Sequence, residues 1–412
     1  MLAKVTKLKN GLRVVTEKRN FSNTTIAIAF KAGMLNETNE LNGISHFLEH
    51  SLFLGTQTKT SQQLVDQVEK LGGYTNAYTS LDHTVYLCNV LPENWKVGLD
   101  YLADITQHSI FPQEKEDKER EVVIQEIMRS KDDPVNCAFE TLTKAAYVDQ
   151  ALSRTILGPK ENIERFTRED LMNYMKAGYT ADNAVISACG NIDHEEFVKE
   201  VERLFTDLPE KCTLPRFKNV FIPNTKKEEK PINQAHVMIA VDGPKSNMEL
   251  KEYAIYTVFK NVLDGGMSTR LFQNVREKHG LGYVVSMICD RIEDTGYMGV
   301  YVGVDEENID KAIEVSKETL NSMKEGIEDE ELEKAKNLCL YSLSNANDKV
   351  TRVCEENMLN LLFKDQLLGY KKMCKVVKQV TKEDVINFAK KYLTDSYATA
   401  IVLPEHKEQK ND

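Results

Sequence analysis

Alternating apolar and polar positions open the chain. Val5-Thr-Lys-Leu and Leu12-Arg-Val-Val-Thr read as two strands, joined by Asn10-Gly11, a pair that supplies the positive-φ turn of a hairpin. Thr25-Ile-Ala-Ile-Ala-Phe-Lys predicts a third strand. Over residues 43–53 the apolar spacing changes to the 3.6-residue period of a partly buried helix, and it returns over 61–71. Two strands are predicted near 74–80 and 84–90, then helices over 93–107 and 113–129. The first half closes with a helix over 168–177 and a strand over 184–189. Strands and helices alternate loosely, as in an α+β fold.

The pattern repeats. Phe166-Thr-Arg-Glu-Asp-Leu-Met-Asn-Tyr-Met-Lys matches Val380-Thr-Lys-Glu-Asp-Val-Ile-Asn-Phe-Ala-Lys, 214 residues further on. At the same offset Val90-Leu-Pro-Glu-Asn-Trp lies against Val304-Asp-Glu-Glu-Asn-Ile, a strand end running into a helix in both copies. Two matches at one offset imply two similar halves. Their expected bounds are 1–222 and 232–412, with the polar, proline-flanked stretch 223–231 as an exposed linker and a charged, frayed tail after Pro404.

Composition narrows the classes. At 412 residues the chain is long enough for two domains, each with its own core. No apolar run spans a bilayer, and a formal charge of -11 repels phosphate backbones, so neither a membrane nor nucleic acid is an expected partner. The eight cysteines are scattered, with no CxxC pair, which reads as reduced thiols. The first residues carry neither a signal-peptide nor a transit-peptide pattern, and a cytoplasmic protein is expected.

The chemistry sits in Gly43-Ile-Ser-His46-Phe-Leu-Glu49-His50. Histidines four apart on a helix share a face and can reach one metal ion, and Glu49 stands beside the second as a general base. A lone histidine is more often a core residue with ordinary partners. The H-x-x-E-H order, the inverted zincin arrangement, is a far stronger signal. A catalytic zinc takes three protein ligands and leaves one position open, so one more ligand must come from elsewhere. The 113–129 helix offers Glu119 and Glu126, seven residues apart and on one face; spacing alone does not choose between them.

With these residues the chain resembles the pitrilysin-type zinc peptidases, in the two-domain branch that includes the mitochondrial processing peptidase and its bacterial relatives. The family follows H-x-x-E-H with an E-R-x-V-x-x-x-E stretch, and Glu119-Arg120-Glu-Val-Val-Ile-Gln-Glu126 matches it after 75 intervening residues. The resemblance implies Glu126 as the third zinc ligand after His46 and His50, with Glu119 as a supporting glutamate. Gly265-Gly-Met-Ser-Thr-Arg270 through Tyr283 resembles the family's second-half signature, which implies substrate binding by Arg276 and Tyr283. A guanidinium and a phenol can both donate hydrogen bonds to peptide carbonyls or a developing oxyanion. Gly73-Tyr74-Thr-Asn76-Ala77-Tyr78 resembles the family's edge strand, which takes up substrate as an added strand at Asn76 and Ala77. In the second half Leu338 stands where a ligand would be, so only the first half is expected to hold zinc.

The combined expectation is a zinc metalloendopeptidase of two similar α+β domains, each a mostly antiparallel sheet with helices packed on one face. A homodimer would close a chamber around the Zn2+ and admit unfolded peptides or flexible segments. The competing expectation is a non-catalytic structural or partner subunit of the same family, a role whose holders have typically lost the zinc residues that this chain keeps.

Overall fold

The computed structural model describes residues 3–405, and the expected frayed tail from residue 406 lies outside the described residues. Strands β1 (Lys4–Lys7), β2 (Arg13–Lys18), β3 (Thr24–Phe30), β4 (Tyr74–Thr79), β5 (Thr84–Val90) and β6 (Ala184–Gly190) form one sheet in the order β1-β2-β6-β3-β5-β4. Strands β7 (Thr225–Lys230), β8 (Ala235–Asp242), β9 (Val284–Arg291), β10 (Gly296–Val304) and β11 (Ala398–Pro404) form a second, in the order β7-β11-β8-β10-β9. Each sheet has one parallel pair, β2 with β6 and β7 with β11, and is otherwise antiparallel. The α+β expectation and the repeat both hold: helices Arg168–Gly178 and Lys382–Tyr392 start 214 residues apart. Each is capped by a threonine whose hydroxyl accepts from the amide of an aspartate three residues on.

The halves of the sequence are not the compact units of the structure. The first unit combines the chain up to Met128 with Thr155–Phe217 and Asn345–Gly369, and the second combines Arg129–Arg154 with Lys218–Ser344 and the chain from Tyr370. Each unit therefore borrows a helix from the other half of the sequence. Helix Val350–Lys364 lies on β3 and β6 of the first sheet, and helix Pro134–Ala146 lies on β11 and β8 of the second.

This corrects two expectations. Helices were expected on one face of each sheet, and a thick helical layer does cover the first sheet's Ile26, Ile28, Tyr86 and Ile186. The other face, with Ala27, Ala29, Val85, Leu87 and Val185, is also buried, under Val353, Met358 and Leu361 of helix Val350–Lys364. Strands β3, β5 and β6 are buried at every position, as expected of strands covered on both sides. The second correction concerns 223–231: Thr225–Lys230 is not a linker but edge strand β7, paired residue for residue with β11. Its Lys-Lys-Glu-Glu side chains hid it, because ladder hydrogen bonds are made by main chain and tolerate any side chain at an edge.

No helix among the described residues is long and apolar enough to cross a membrane, and all eight cysteines are free.

Candidate metal centre and active site

Helix α1 (Ile44–Ser51) carries the H-x-x-E-H run and is buried nearly all round. Eight residues are too few to hold a helix by propensity, so tertiary contacts set it in place. Gly43 starts it at φ +100°, where a Cβ would stand 2.7 Å from the Leu157 carbonyl oxygen. The fully buried Glu37 carboxylate accepts from the Gly43 amide and Asn42 Nδ2 on one oxygen and from the Ser45 amide on the other, each at 2.9 Å. The free N–H groups of the first turn thus meet a negative charge at the helix's positive end. Burial pushes the Glu37 carboxyl up, against these hydrogen bonds.

Helix α2 (Ser61–Glu69) and helix α3 (Trp95–His108) flank this core, and helix α4 (Gln113–Asp132) supplies the acids. Only Glu116, Val123 and Ile127 of α4 are buried, so its apolar grip is chiefly two side chains, worth about 1.5–3 kcal/mol each, with the partly buried Ile124 beside them.

The structure brings His46, His50 and Glu126 together, with donor atoms all within 4.8 Å of one another. Among the described residues this is the one such grouping of three or more His, Cys, Asp or Glu side chains. Glu126 Oε2 stands 3.6 Å from Nε2 of each histidine. Ligand atoms about 2.0–2.2 Å from a tetrahedral zinc stand roughly 3.3–3.6 Å from each other, so the two distances from Glu126 Oε2 to the histidine nitrogens suit that ion. Glu119, the other acid left open by spacing, turns to the back of His50 and lies 2.7 Å from its Nδ1. That contact fixes the tautomer with Nε2 free towards Glu126. His46 Nδ1 is buried without a protein partner.

Burial, with the neighbouring His50, pulls the His46 imidazole down to about 3, so its ring is neutral. For His50 burial acts in the same downward sense, but the Glu119 hydrogen bond and the charges of Glu49, Glu119 and Glu126 outweigh it and raise the ring above its ordinary value. A metal must then displace a proton from His50 but none from His46. Apparent zinc affinity should therefore be level above the raised His50 value and fall about tenfold per pH unit below it. Competition with a chelator between about pH 5 and 8 measures this, and affinity that stays flat below neutrality would remove His50 from the ligand set.

Glu49 lies beside the trio, nearly buried. Thr79, the last residue of β4, donates from Oγ1 to Glu49 Oε2 at 2.7 Å. Burial raises the Glu49 carboxyl, opposed by the Thr79 hydroxyl. A carboxyl lifted in this way is suited to taking and returning a proton near neutral pH. Among the described residues strand β4 ends the sheet order and pairs only with β5, Asn76 opposite Leu87 and Ala77 opposite Tyr86, so its other edge has no strand partner there. Asn76, Ala77, Glu49 and His50 line a cavity of about 370 Å³ whose walls are Phe53, Leu54, Leu64, Val65 and Tyr101.

Arg276 and Tyr283 belong to the second unit. They stack on each other, the guanidinium carbon 4.6 Å from the Tyr283 ring centre and 4.8 Å from that of Phe272. Arg276 comes from a π-helical stretch, Phe272–Lys278, and Tyr283 is 75% exposed, unusual for a large aromatic ring.

Sequence reasoning missed Glu37, Thr79 and the apolar cavity. Thr79 could have been found as the residue that ends the edge strand next to the metal helix; nothing in the spacing marks Glu37.

Two histidines one helical turn apart, a buried glutamate between them and a carboxylate from a second helix give the inverted zincin arrangement on a two-unit α+β scaffold. Residues 13–160 match the family described as Insulinase (Peptidase family M16), and residues 165–339 match Peptidase M16 inactive domain. The chain is 35% identical over 409 residues to an uncharacterised zinc protease of Bacillus subtilis, covering 96% of this chain and 97% of that protein. It is 31% identical over 406 residues to the β subunit of the mitochondrial-processing peptidase of Neurospora crassa, covering 95% and 85%. A solved protease from Helicobacter pylori shares the fold with a TM-score of 0.89 at 20% identity, over 98% of this chain and 99% of that one. The chain belongs to peptidase family M16, the pitrilysin-type family.

Proposed function

We propose that this chain is a zinc-dependent endopeptidase that cuts unfolded peptides or flexible segments. The observation that carries the reading is Glu49 beside a ligand trio, a base next to a metal site with no fourth protein ligand among the described residues. A zinc ion held by His46, His50 and Glu126 would supply a Lewis acid for the scissile carbonyl and for the attacking water. Glu49 takes the water's proton and returns it to the leaving amine. Its Oε2 is held by the Thr79 hydroxyl, which orients the carboxylate for that transfer. The open edge of β4 takes an extended peptide by main-chain hydrogen bonds at Asn76 and Ala77, and the adjoining cavity takes an apolar side chain of that peptide. Arg276 and Tyr283, supplied by a second copy of the chain in a homodimer, donate to substrate carbonyls.

A chelation experiment tests the reading. Purified protein should hold about one zinc per chain. It should cut an unfolded protein and spare its folded form, lose that activity on chelation and regain it with zinc. Zinc-loaded protein that cuts no peptide at all would favour the non-catalytic partner-subunit reading, and hydrolysis indifferent to chelation would remove the metal from the reaction.

A further inference from the structure

The metal site is divided between two helices: α1 holds both histidines and the base, and α4 holds Glu119 and Glu126. A metal site tolerates little error in such a pairing, because one residue of slip along α4 moves a carboxylate about 1.5 Å along the axis and turns it by about 100°. Two buried apolar side chains, Val123 and Ile127, with the partly buried Ile124, give little direction against that slip, because apolar contact is not directional.

A directional contact lies between the two acids in sequence, at Arg120. Its side chain is only 13% exposed, and its Glu116 partner one turn earlier is fully buried. One guanidinium nitrogen, Nη2, donates to Glu116 Oε1 at 2.6 Å and to the Phe166 carbonyl at 2.8 Å, and Nη1 donates to the Ile163 carbonyl. The plane lies over the Phe47 ring, 5.0 Å from its centre. Phe47 is the α1 residue next to His46, and Ile163 and Phe166 bracket the end of the short helix Lys160–Arg165. A single side chain on α4 therefore registers against α1 and against a third segment at once. The two carbonyls fix the fork in direction and the ring fixes it in distance, which a lysine with its point charge cannot reproduce.

We propose that Arg120 is a positioning residue for the metal: it locks α4 against α1 so that Glu126 and Glu119 meet the two histidines in register. It touches neither metal nor substrate and acts through the two glutamates on its own helix. The inference rests on the zinc reading of the trio.

The test uses full-length protein stripped of metal and reloaded. Zinc affinity is measured by chelator competition, and ligand geometry by the visible absorption of the cobalt(II)-substituted protein at saturating metal. For Arg120→Lys the expected results are zinc affinity weakened about 10–100-fold, the range seen when an outer partner of a ligand is lost, and an altered cobalt spectrum. Simple loss of stability would not change the spectrum of the saturated, folded protein. Should Arg120→Lys fail to fold, Phe47→Leu removes the ring while leaving Arg120 with Glu116 and both carbonyls, and should shift affinity and spectrum in the same direction by a smaller factor. A folded variant at either position with wild-type affinity and spectrum overturns the proposal. Wild-type protein that binds no zinc would instead overturn the zinc reading itself.

Discussion

Replacing Glu49 by glutamine should leave a folded, zinc-loaded protein whose hydrolysis of unfolded peptide is about 10²–10⁴-fold slower, the usual share of a positioned general base. The substitution is nearly isosteric, and the amide oxygen can still accept from Thr79 Oγ1. None of His46, His50 and Glu126 is altered, so metal content should stay near one per chain. Stability should hold or rise, because burial already disfavours the Glu49 charge and the amide removes that cost. Metal analysis, a thermal melt and kcat/KM on one peptide together read the three effects. Loss of zinc along with activity would make Glu49 a ligand or a structural prop, and hydrolysis kept above about a tenth of wild type would place the base elsewhere.

Mixing two inactive variants should restore activity if Arg276 and Tyr283 act across a dimer. One chain carries Glu49→Gln and the other Arg276→Ala, each nearly inactive as a pure dimer. In the mixed dimer the Arg276→Ala chain offers an intact metal site and base, and the Glu49→Gln chain offers the intact Arg276. With random exchange half of the dimers are mixed and each has one complete site of two, so recovery should approach about a quarter of wild type. If the pair serves its own chain, no mixed dimer has a complete site and nothing is recovered. Persistent inactivity after exchange verified by mass measurement would sink the cross-subunit arrangement and leave the metal assignment standing.

Much of this centre is legible in the sequence, for physical reasons that differ from residue to residue. His46, Glu49 and His50 are readable because a helix converts spacing into a shared face. Glu119 and Glu126 were visible as a pair, but both satisfy the same spacing, and only resemblance preferred Glu126; in the structure they divide into the acid facing both Nε2 atoms and the acid behind His50. Strand positions up to β6 followed from the apolar pattern, whereas β7 did not, since a charged edge strand has no apolar face to display. Arg276 and Tyr283 were named as a pair, and their stacking is a matter of loop conformation that spacing cannot convey. The exchange of helices between sequence halves was not legible at all. Periodicity says that a sheet face is apolar and needs cover, and it does not say which segment, near or far along the chain, provides it.

That exchange makes time a variable in the life of the protein. Strands β3, β5 and β6 are complete once residue 190 has been made, but the helix that covers their second face begins at Val350. At about 5–20 residues per second the intervening chain takes on the order of 10–30 s to synthesise. Throughout that interval Ala27, Ala29, Val85, Leu87 and Val185 form an apolar wall without its cover. While synthesis continues the sheet is half dressed, open to a chaperone that shields hydrophobic surface, and the contacts that finish it span 167 residues from Ser187 to Cys354 and more than 300 from Thr25 to Thr351 and Cys354. Contacts so distant in sequence slow folding, because their loop must close before they stabilise anything. A gene fragment ending before this helix would encode every residue of the candidate metal site and still leave the sheet beside it open on one side.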